Sequence, residues 1–438
     1  MKKIVLSVLL LLLAGAAAVA GFGYYLVDDK SATSIPDKLS TTDQISKGAY
    51  LVKAGNCMGC HTVKGETAFA GGRLLQTEFG NFKTPNITPD AKTGIGSWTA
   101  EDFWQALHNG KSKGGRMLYP SFPYTNYTQV SRNDADAMYA YLMSLPKVDK
   151  ANQAHELRFP YDQRALLAFW RAAYFRPTSY QEDKSKSVEW NRGAYLVKGL
   201  GHCSACHCSA CHSSRNGLGA NAGVSDLSGG ELTSWYAPAL TNSKEVSLAR
   251  WPAQELVALL KSGVNQHTAV SGPMAEVVAG STQHLSDADI NSIVTYLQAI
   301  PTVQAAEKDM FDQAMAGPEL SAENMGSVMK QGAALYKTHC MDCHGEQGEG
   351  VPNIYPALRA NPALLSQAVS NPVRMVLSGG FPPVTSGNPR PYGMPPFAHM
   401  LNDSEVALVL SYARNAWGNK AAVLTSAEVN RYRTAAND

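Results

Sequence analysis

Three stretches of the chain repeat the same order of apolar and polar positions. Each ends in a segment where Ser or Asn precedes acidic residues and apolar residues recur at i, i+3 and i+4, which predicts a helix with a defined N-cap. Each begins with a run of glycine, alanine and larger apolar residues that also predicts a helix. The opening segments are residues 48–53, 193–198 and 332–336, and the closing segments are residues 131–142, 286–297 and 402–412. The repeat predicts three small all-α modules of roughly 100 residues each.

The N-terminus carries a different pattern. Lys2 and Lys3 precede an uncharged stretch, Ile4 to Val27, that is rich in Leu and Ala. Residues 18–20 form a small-x-small cleavage site for a secretory signal, and the stretch is also long enough to span a bilayer as an uncleaved anchor. Cleavage is the favoured alternative. Both alternatives predict that the rest of the chain is exported, with the lysines kept inside.

Two linkers separate the three modules. The first contains an apolar run, residues 166–175, which is either a docking helix or a segment that packs across its own modules. We predict an all-α fold of three tandem domains behind a signal peptide or membrane anchor. The predicted boundaries are 1–27 for the N-terminal segment, 44–148, 188–304 and 325–420 for the three domains, and 149–187 and 305–324 for the linkers.

Composition adds little beyond this. The chain has 438 residues, which is too long for one core, and an apolar fraction of 45%, which is typical of a globular protein. A net charge of +2 predicts neither nucleic-acid binding nor a strongly basic membrane patch.

The cysteines carry the chemistry. All eight fall in Cys-x-x-Cys-His units, whereas the cysteines of a disulfide framework are scattered at varied spacings. A structural zinc site needs a second pair of ligands in each module, and a thioredoxin-like pair needs a βαβ setting that is not visible. Cys-x-x-Cys-His attaches haem through two thioethers and ligates the iron through the histidine. The predicted haem-binding residues are Cys57, Cys60, His61, Cys203, Cys206, His207, Cys208, Cys211, His212, Cys340, Cys343 and His344.

The second module contains two such units in tandem. His207 and His212 are five residues apart, which is little more than one helical turn of about 5.4 Å pitch and far less than the width of a porphyrin. The sequence therefore predicts three covalently attached haem c groups, not four. Spacing from Gly193 favours the first copy, while the distance onward to residues 213–216 fits the second, so both remain open.

A methionine is the expected sixth iron ligand in a cytochrome that only carries electrons, because it raises the potential and blocks substrate access. Met394 and Met274 are predicted to lie in loops shortly before the closing helices of the third and second modules. Met117 is the candidate in the first module, where it is the only methionine between the haem unit and the closing helix.

At this point the chain resembles the three-haem cytochrome c subunit of membrane-bound bacterial dehydrogenases, of the gluconate 2-dehydrogenase and quinoprotein alcohol dehydrogenase type. The resemblance covers nearly the whole chain after the export segment, and it implies three tandem cytochrome c-like domains. The motifs that carry it are residues 84–90 with 94–99, residues 118–124, residues 189–197 and residues 392–397.

The resemblance implies a function in electron transfer rather than catalysis by this chain itself. A large dehydrogenase subunit carrying flavin or pyrroloquinoline quinone would oxidise a sugar acid, sugar or alcohol at the periplasmic face of the bacterial inner membrane. Electrons would then cross the three haems to ubiquinone or another respiratory acceptor. The resemblance also implies that backbone carbonyls at Pro85, Pro238 and Pro356 fix the haem histidines.

Two features depart from the family pattern. Many relatives carry Met where this chain has Phe122, which leaves the sixth ligand of the first haem open, and the tandem unit is an insertion. A stand-alone multihaem peroxidase is a rival function that needs an open iron site. A cytochrome subunit of a terminal oxidase is a second rival, which the lack of a further apolar span after Val27 disfavours.

Overall fold

The computed structural model describes residues 41–207, 223–232, 234–241, 251–301 and 321–435, with Gly15, Glu245 and Leu248 as single positions. These residues form two compact units. One contains residues 41–187, 194–205 and 223–225, and the other contains residues 188–193, 206–207 and the described residues from 226 to 435. The predicted N-terminal segment, except Gly15, and most of the predicted second linker lie outside the described residues.

The first module is mainly helical, with a small sheet beside it. Its opening helix, Thr41–Ala54, packs against its closing helix, Arg132–Ser144. The other helices of this module are Cys57–His61, Ala100–Asn109 and Tyr124–Tyr127. Antiparallel strands Leu74–Thr77 and Gly80–Lys83 pair from Leu74 with Lys83 to Thr77 with Gly80, and Glu156–Leu157 adds a third strand from the predicted linker.

The predicted first linker packs onto the first module. Its helix, Leu166–Tyr174, buries Arg171, whose guanidinium lies over the rings of Tyr124 at 5.3 Å and Phe175 at 4.8 Å. The Thr178 backbone carbonyl also accepts a hydrogen bond from the Thr128 hydroxyl. One face of this apolar run therefore packs on its own module, while Leu166, Phe169 and Tyr174 are exposed, so the docking interpretation stays a prediction.

The second and third modules repeat the helical plan. The second has helices Val188–Lys198, Ser204–His207, Ala253–Ser262, Gly272–Gly280 and Asp287–Gln298, a 3-10 turn at Thr282–His284, and a hairpin of strands Gly230–Leu232 and Trp235–Ala237. The third has helices Ala322–His339, Met341–His344, Pro362–Leu365, Ser370–Ser378, Asp403–Ala413 and Ser426–Ala435. Its core includes Val429 and Tyr432, which lie beyond the predicted boundary at residue 420.

The closing helices begin where the sequence predicts. Ser131, Ser286 and Asn402 are their N-caps, and each side chain accepts a hydrogen bond from the backbone N–H three residues later. Such caps stabilise a helix by about 1 kcal/mol each. The predicted N-caps are therefore confirmed in all three modules.

One glycine in each opening helix explains the repeated sequence around it. A Cβ on Gly48, Gly193 or Gly332 would lie closer than 3.0 Å to a backbone carbonyl or a tyrosine Cβ of the closing helix. The helix backbones therefore approach each other at a point where no side chain fits. This crossing places the segment that follows the opening helix, which carries the Cys-x-x-Cys-His unit, in the same position in each module.

Candidate haem sites

Three short helices carry the cysteine-histidine units. They are Cys57–His61, Ser204–His207 and Met341–His344, and each follows directly on the opening helix or a short loop after it. The six cysteines within the described part of the chain form no disulfide bond. The described residues also contain no group of three His, Cys, Asp or Glu side chains that could hold a metal ion, such as a structural zinc.

Each unit's histidine is oriented by the carbonyl of a proline. The Nδ1 atoms of His61, His207 and His344 lie 2.8, 2.8 and 3.0 Å from the backbone oxygens of Pro85, Pro238 and Pro356. A carbonyl oxygen only accepts, so Nδ1 carries the proton and Nε2 is left with a lone pair for a metal. The proline contacts implied by the resemblance are thus confirmed, and this donor set fits an iron porphyrin attached through the two neighbouring thiols.

Burial keeps these imidazoles neutral. It lowers the pKa of His61, His207 and His344, while the hydrogen bond to the proline carbonyl acts in the opposite direction. A neutral imidazole is the form that ligates iron.

Burial holds the thiols of Cys57 and Cys340 in their protonated form. Burial, followed by the neighbouring cysteine, raises the pKa of Cys57 to about 12 and that of Cys340 to about 11. Reactive redox pairs and metal-binding thiolates have depressed pKa values instead. These environments suit sulfurs that end in covalent thioethers.

A glycine clamps each histidine from the other side, which sequence reasoning missed. The N–H groups of Gly71, Gly229 and Gly350 donate to the backbone carbonyls of His61, His207 and His344, at 2.8, 2.9 and 2.8 Å. All three glycines have φ between +64° and +85°, and a Cβ on any of them would lie closer than 3.0 Å to the peptide around the matching proline. Their separations from the histidine are 10, 22 and 6 residues, so alignment of the repeats does not reveal them.

The tandem unit is described only in its first copy. Cys203, Cys206 and His207 lie in the described chain, and the contacts of His207 with Pro238 and Gly229 match those of the other two modules. Cys208, Cys211 and His212 lie outside the described residues.

Two of the three candidate methionines occupy matching positions. In the first module, helix Ala100–Asn109 ends at Gly110, and the next residue, Lys111, forms a β-bridge with Met117. In the third module, helix Ser370–Ser378 ends at Gly379, and the next residue, Gly380, forms a β-bridge with Met394. Each bridge anchors the backbone of the methionine beside the end of the module's middle helix.

The predicted loop around Met274 is wrong. Met274 lies in the first turn of helix Gly272–Gly280, where Pro273 stands at a position whose N–H needs no partner within the helix. The bridge that matches those of the other modules joins Val264 to Ala269. The sequence resemblance between the loops did not reveal this difference because it depends on where the following helix starts.

Comparison with known proteins places these three sites in a family. The family model described as "Cytochrome c" matches residues 45–146, 192–301 and 329–417. The chain belongs to the cytochrome c family. It has three cytochrome c domains, and these carry covalently attached haem c.

Curated relatives match this cytochrome over most of its length. It is 35% identical to the cytochrome c subunit of the quinone-type alcohol dehydrogenase of Gluconobacter oxydans, over 89% of this chain and 82% of the relative. It is 35% identical to the gluconate 2-dehydrogenase cytochrome c subunit of Pantoea cypripedii, over 92% of each chain. It is 34% identical to the fructose dehydrogenase cytochrome subunit of Gluconobacter japonicus, over 89% of this chain and 82% of the relative. The resemblance drawn from the sequence motifs is thereby confirmed.

No helix in the described part of this cytochrome is both long enough and apolar enough to cross a bilayer.

Proposed function

We propose that this cytochrome carries electrons from a dehydrogenase subunit containing flavin or a quinone cofactor to ubiquinone or another respiratory acceptor. Oxidation of a CH–OH donor to a carbonyl releases two electrons and two protons on the dehydrogenase, and reduction of a quinone consumes the same number. The similarity to dehydrogenase cytochrome subunits along nearly the whole chain is the observation that supports this function.

Backbone contacts fix the position of the histidine at each site, so that electron transfer needs no movement of this ligand. A bound haem supplies a one-electron redox centre. The proline carbonyl and the clamping glycine hold each histidine between two backbone contacts, so its ring orientation is set before and after the electron arrives. A fixed ligand lowers the structural rearrangement that accompanies each change of iron charge.

For the second haem, we assign the first tandem copy, with thioethers at Cys203 and Cys206 and the iron ligand at His207. The contact of His207 Nδ1 with the Pro238 carbonyl, 2.8 Å, supports this choice because it equals the contact of His61 in the first module. Replacement of His207 by Ala should remove the ligand of the second haem, whereas His212→Ala should leave the ferric and ferrous spectra unchanged. The opposite outcome assigns the second copy.

Met117, Met274 and Met394 are proposed as the sixth ligands. Each substitution by Ala should remove one methionine-iron charge-transfer band from the ferric spectrum and lower the potential of one haem. A Met117→Ala protein with an unchanged spectrum would show that the first haem uses another ligand or none, and the peroxidase alternative would then be tested by optical titration with peroxide.

Co-purification tests the dehydrogenase assignment. The cytochrome, tagged at its C-terminus and extracted from membranes with mild detergent, should bring down a larger subunit with a flavin or quinone cofactor. Gluconate, fructose and ethanol are then added separately to such a preparation. One of these substrates should reduce the haems. Isolation of the chain alone, with no haem reduction by any donor, would refute the proposal.

Location at the periplasmic face of the inner membrane is part of the same proposal. The predicted export segment from Ile4 to Val27 supports it. The mass of the mature chain reports both whether this segment is removed and how many haems are attached.

A further inference from the structure

Two haem-attachment segments meet within the first unit. The ring of His202, which directly precedes Cys203, lies against the ring of Tyr127 and near the backbone of Gly55, two residues before Cys57. The Gly55 carbonyl accepts a hydrogen bond from the Tyr127 hydroxyl at 3.2 Å. The first and second attachment segments are therefore joined through Tyr127.

Ring contacts close this junction. The Tyr127 and His202 rings meet edge to face, with centroids 5.6 Å apart and planes at 71°. Tyr127 also lies beside the thiols of Cys57 and Cys60, which together with burial raise the pKa of its phenol well above the ordinary value. One side of Tyr127 thus faces the first attachment helix and the other faces the residue that leads into Cys203.

Asn126 holds the segment that surrounds Cys203 at two points, residues 198 and 204. The Asn126 side-chain amide donates to the Lys198 carbonyl and to the Ser204 hydroxyl, both at 2.9 Å. Asn126 and Ser204 are fully buried, and so is Leu200, which lies between Lys198 and Ser204 in the chain. Buried side chains therefore pack around the junction, which matters because electron transfer weakens steeply with every gap in a packed route.

His202 adopts a backbone conformation that its surroundings must impose. Its φ is +36°, in the left-handed region, where non-glycine residues are uncommon. Asn56 occupies the same position before Cys57, with φ +48°. The repeat therefore favours this turn before the first cysteine, but only the second module fills it with a ring that reaches the neighbouring attachment segment.

The third module shows that such a histidine need not form a bridge. His339 precedes Cys340, and its ring lies 6.0 Å from that of Phe397 in its own module. Its backbone is outside the left-handed region. A histidine before the first cysteine is therefore compatible with attachment alone, and the contact with a tyrosine of another module is specific to His202.

We propose that His202 and Tyr127 form the electronic junction between the first and second haems. A single electron crosses it, the donor iron is oxidised as the acceptor iron is reduced, and neither side chain gains or loses a proton. This proposal rests on the proposed electron-transfer function and specifies the route between two of the haems. His202 and Tyr127 act here as positioning residues, since they touch the attachment segments and not a substrate.

The test compares His202→Asn with a matched control, His339→Asn, in the full haem-loaded chain. Asn tolerates the left-handed backbone, as Asn56 shows, so the variant removes the ring and keeps the turn. Rapid injection of less than one electron per molecule, by pulse radiolysis, reports redistribution between haems. The phase that joins the first and second haems is identified by its absence in Cys57→Ala/Cys60→Ala, which lacks the first haem.

We expect that phase to be slowed or lost in His202→Asn, unchanged in His339→Asn and slowed to a lesser extent in Tyr127→Phe, which keeps the ring. Haem count by mass and the midpoint potentials should be unchanged in all three. If His202→Asn loses a haem, the rate of the same phase in Tyr127→Phe tests the junction instead. Wild-type rates in both junction variants, with three haems bound, would overturn the junction. That result is distinct from failure of the proposed function, in which no dehydrogenase reduces even the wild-type chain.

Discussion

Two sets of contacts between neighbouring modules, called joints here, differ in the part of a haem site that they reach. The first joint lies in the first unit and links the first module to residues 194–205. It is built from buried and half-buried side chains: Tyr195 donates to Asp134 at 2.6 Å, Asn126 holds residues 198 and 204, and the His202 ring meets that of Tyr127. It ends on the backbone that leads into a cysteine pair.

The second joint lies in the second unit and links the second module to the third. Asn371 exchanges two hydrogen bonds with the backbone of Tyr236, at 2.8 and 2.7 Å. The Ala357 N–H donates to the His267 carbonyl at 3.2 Å, one residue after the proline that orients His344. This joint therefore ends on the loop that fixes an iron ligand.

The difference indicates two ways of coupling neighbouring haem sites. The first joint brings attachment segments together and affects the route between centres. The second supports the peptide that orients a histidine and affects the site itself. Substitutions in the two joints should accordingly separate an effect on rate from an effect on ligation.

The largest effect is expected from Gly350→Ala at the second joint. Gly350 has φ +64°, and a Cβ would lie within 3.0 Å of the peptide between Pro356 and Ala357. Backbone strain and the clash should destabilise the third module by about 2–4 kcal/mol and weaken ligation by His344. Urea unfolding and the ferric spectrum measure the two effects.

The control for this substitution is Gly418→Ala in the same module. Gly418 also has a positive φ, +87°, but a Cβ there would meet nothing within 4 Å. Only the conformational penalty of about 1 kcal/mol applies, and the spectrum should not change. Equal losses in the two variants would contradict the clamp.

Asn126→Ala should destabilise the first unit by about 2–4 kcal/mol, because it removes the buried amide that donates to the Lys198 carbonyl and to the Ser204 hydroxyl. Hydrogen exchange of residues 198–204 should rise with it. Protection of that segment at the wild-type level would show that Asn126 does not hold the joint.

Asn371→Ala is the matched change in the second joint, and a smaller effect is expected. Asn371 is only partly buried, so water replaces part of what is lost, and the destabilisation should be about 1–2 kcal/mol. Thermal unfolding of both variants under one set of conditions gives the ranking. A larger loss for Asn371→Ala than for Asn126→Ala would reverse the comparison.

The smallest effect concerns pH. Burial lowers the pKa of His202, and hydrogen bonds with its own backbone and Gly55 only partly oppose this. The unfolded chain, with a histidine pKa of about 6.5, then binds the proton first as pH falls, so the folded state loses stability below about pH 6.5. The stability of wild type relative to His202→Asn should fall between about pH 7 and pH 5. A difference that is constant over this range would show that His202 is not buried in its neutral form.

Local features could be predicted from the sequence because their partners are near in the chain. The N-caps at Ser131, Ser286 and Asn402 bond to N–H groups three residues away. The two short sheets were not predicted, since strand Leu74–Thr77 depends on pairing with Gly80–Lys83, which pairs in turn with a strand from the linker. Met274 was placed in a loop, although Ser271 and Pro273 are residue types that favour the start of the helix at Gly272.

The sequence by itself determined the chemistry: the cysteine-histidine spacing specifies covalent haem, and the repeat specifies three helical modules. Tertiary structure alone decided how each site is held. The glycine clamps stand at separations of 10, 22 and 6 residues from their histidines, and the His202 ring meets that of Tyr127, 75 residues away. Such contacts depend on how distant parts of the chain pack together, and the spacing of side chains along the sequence does not predict that packing.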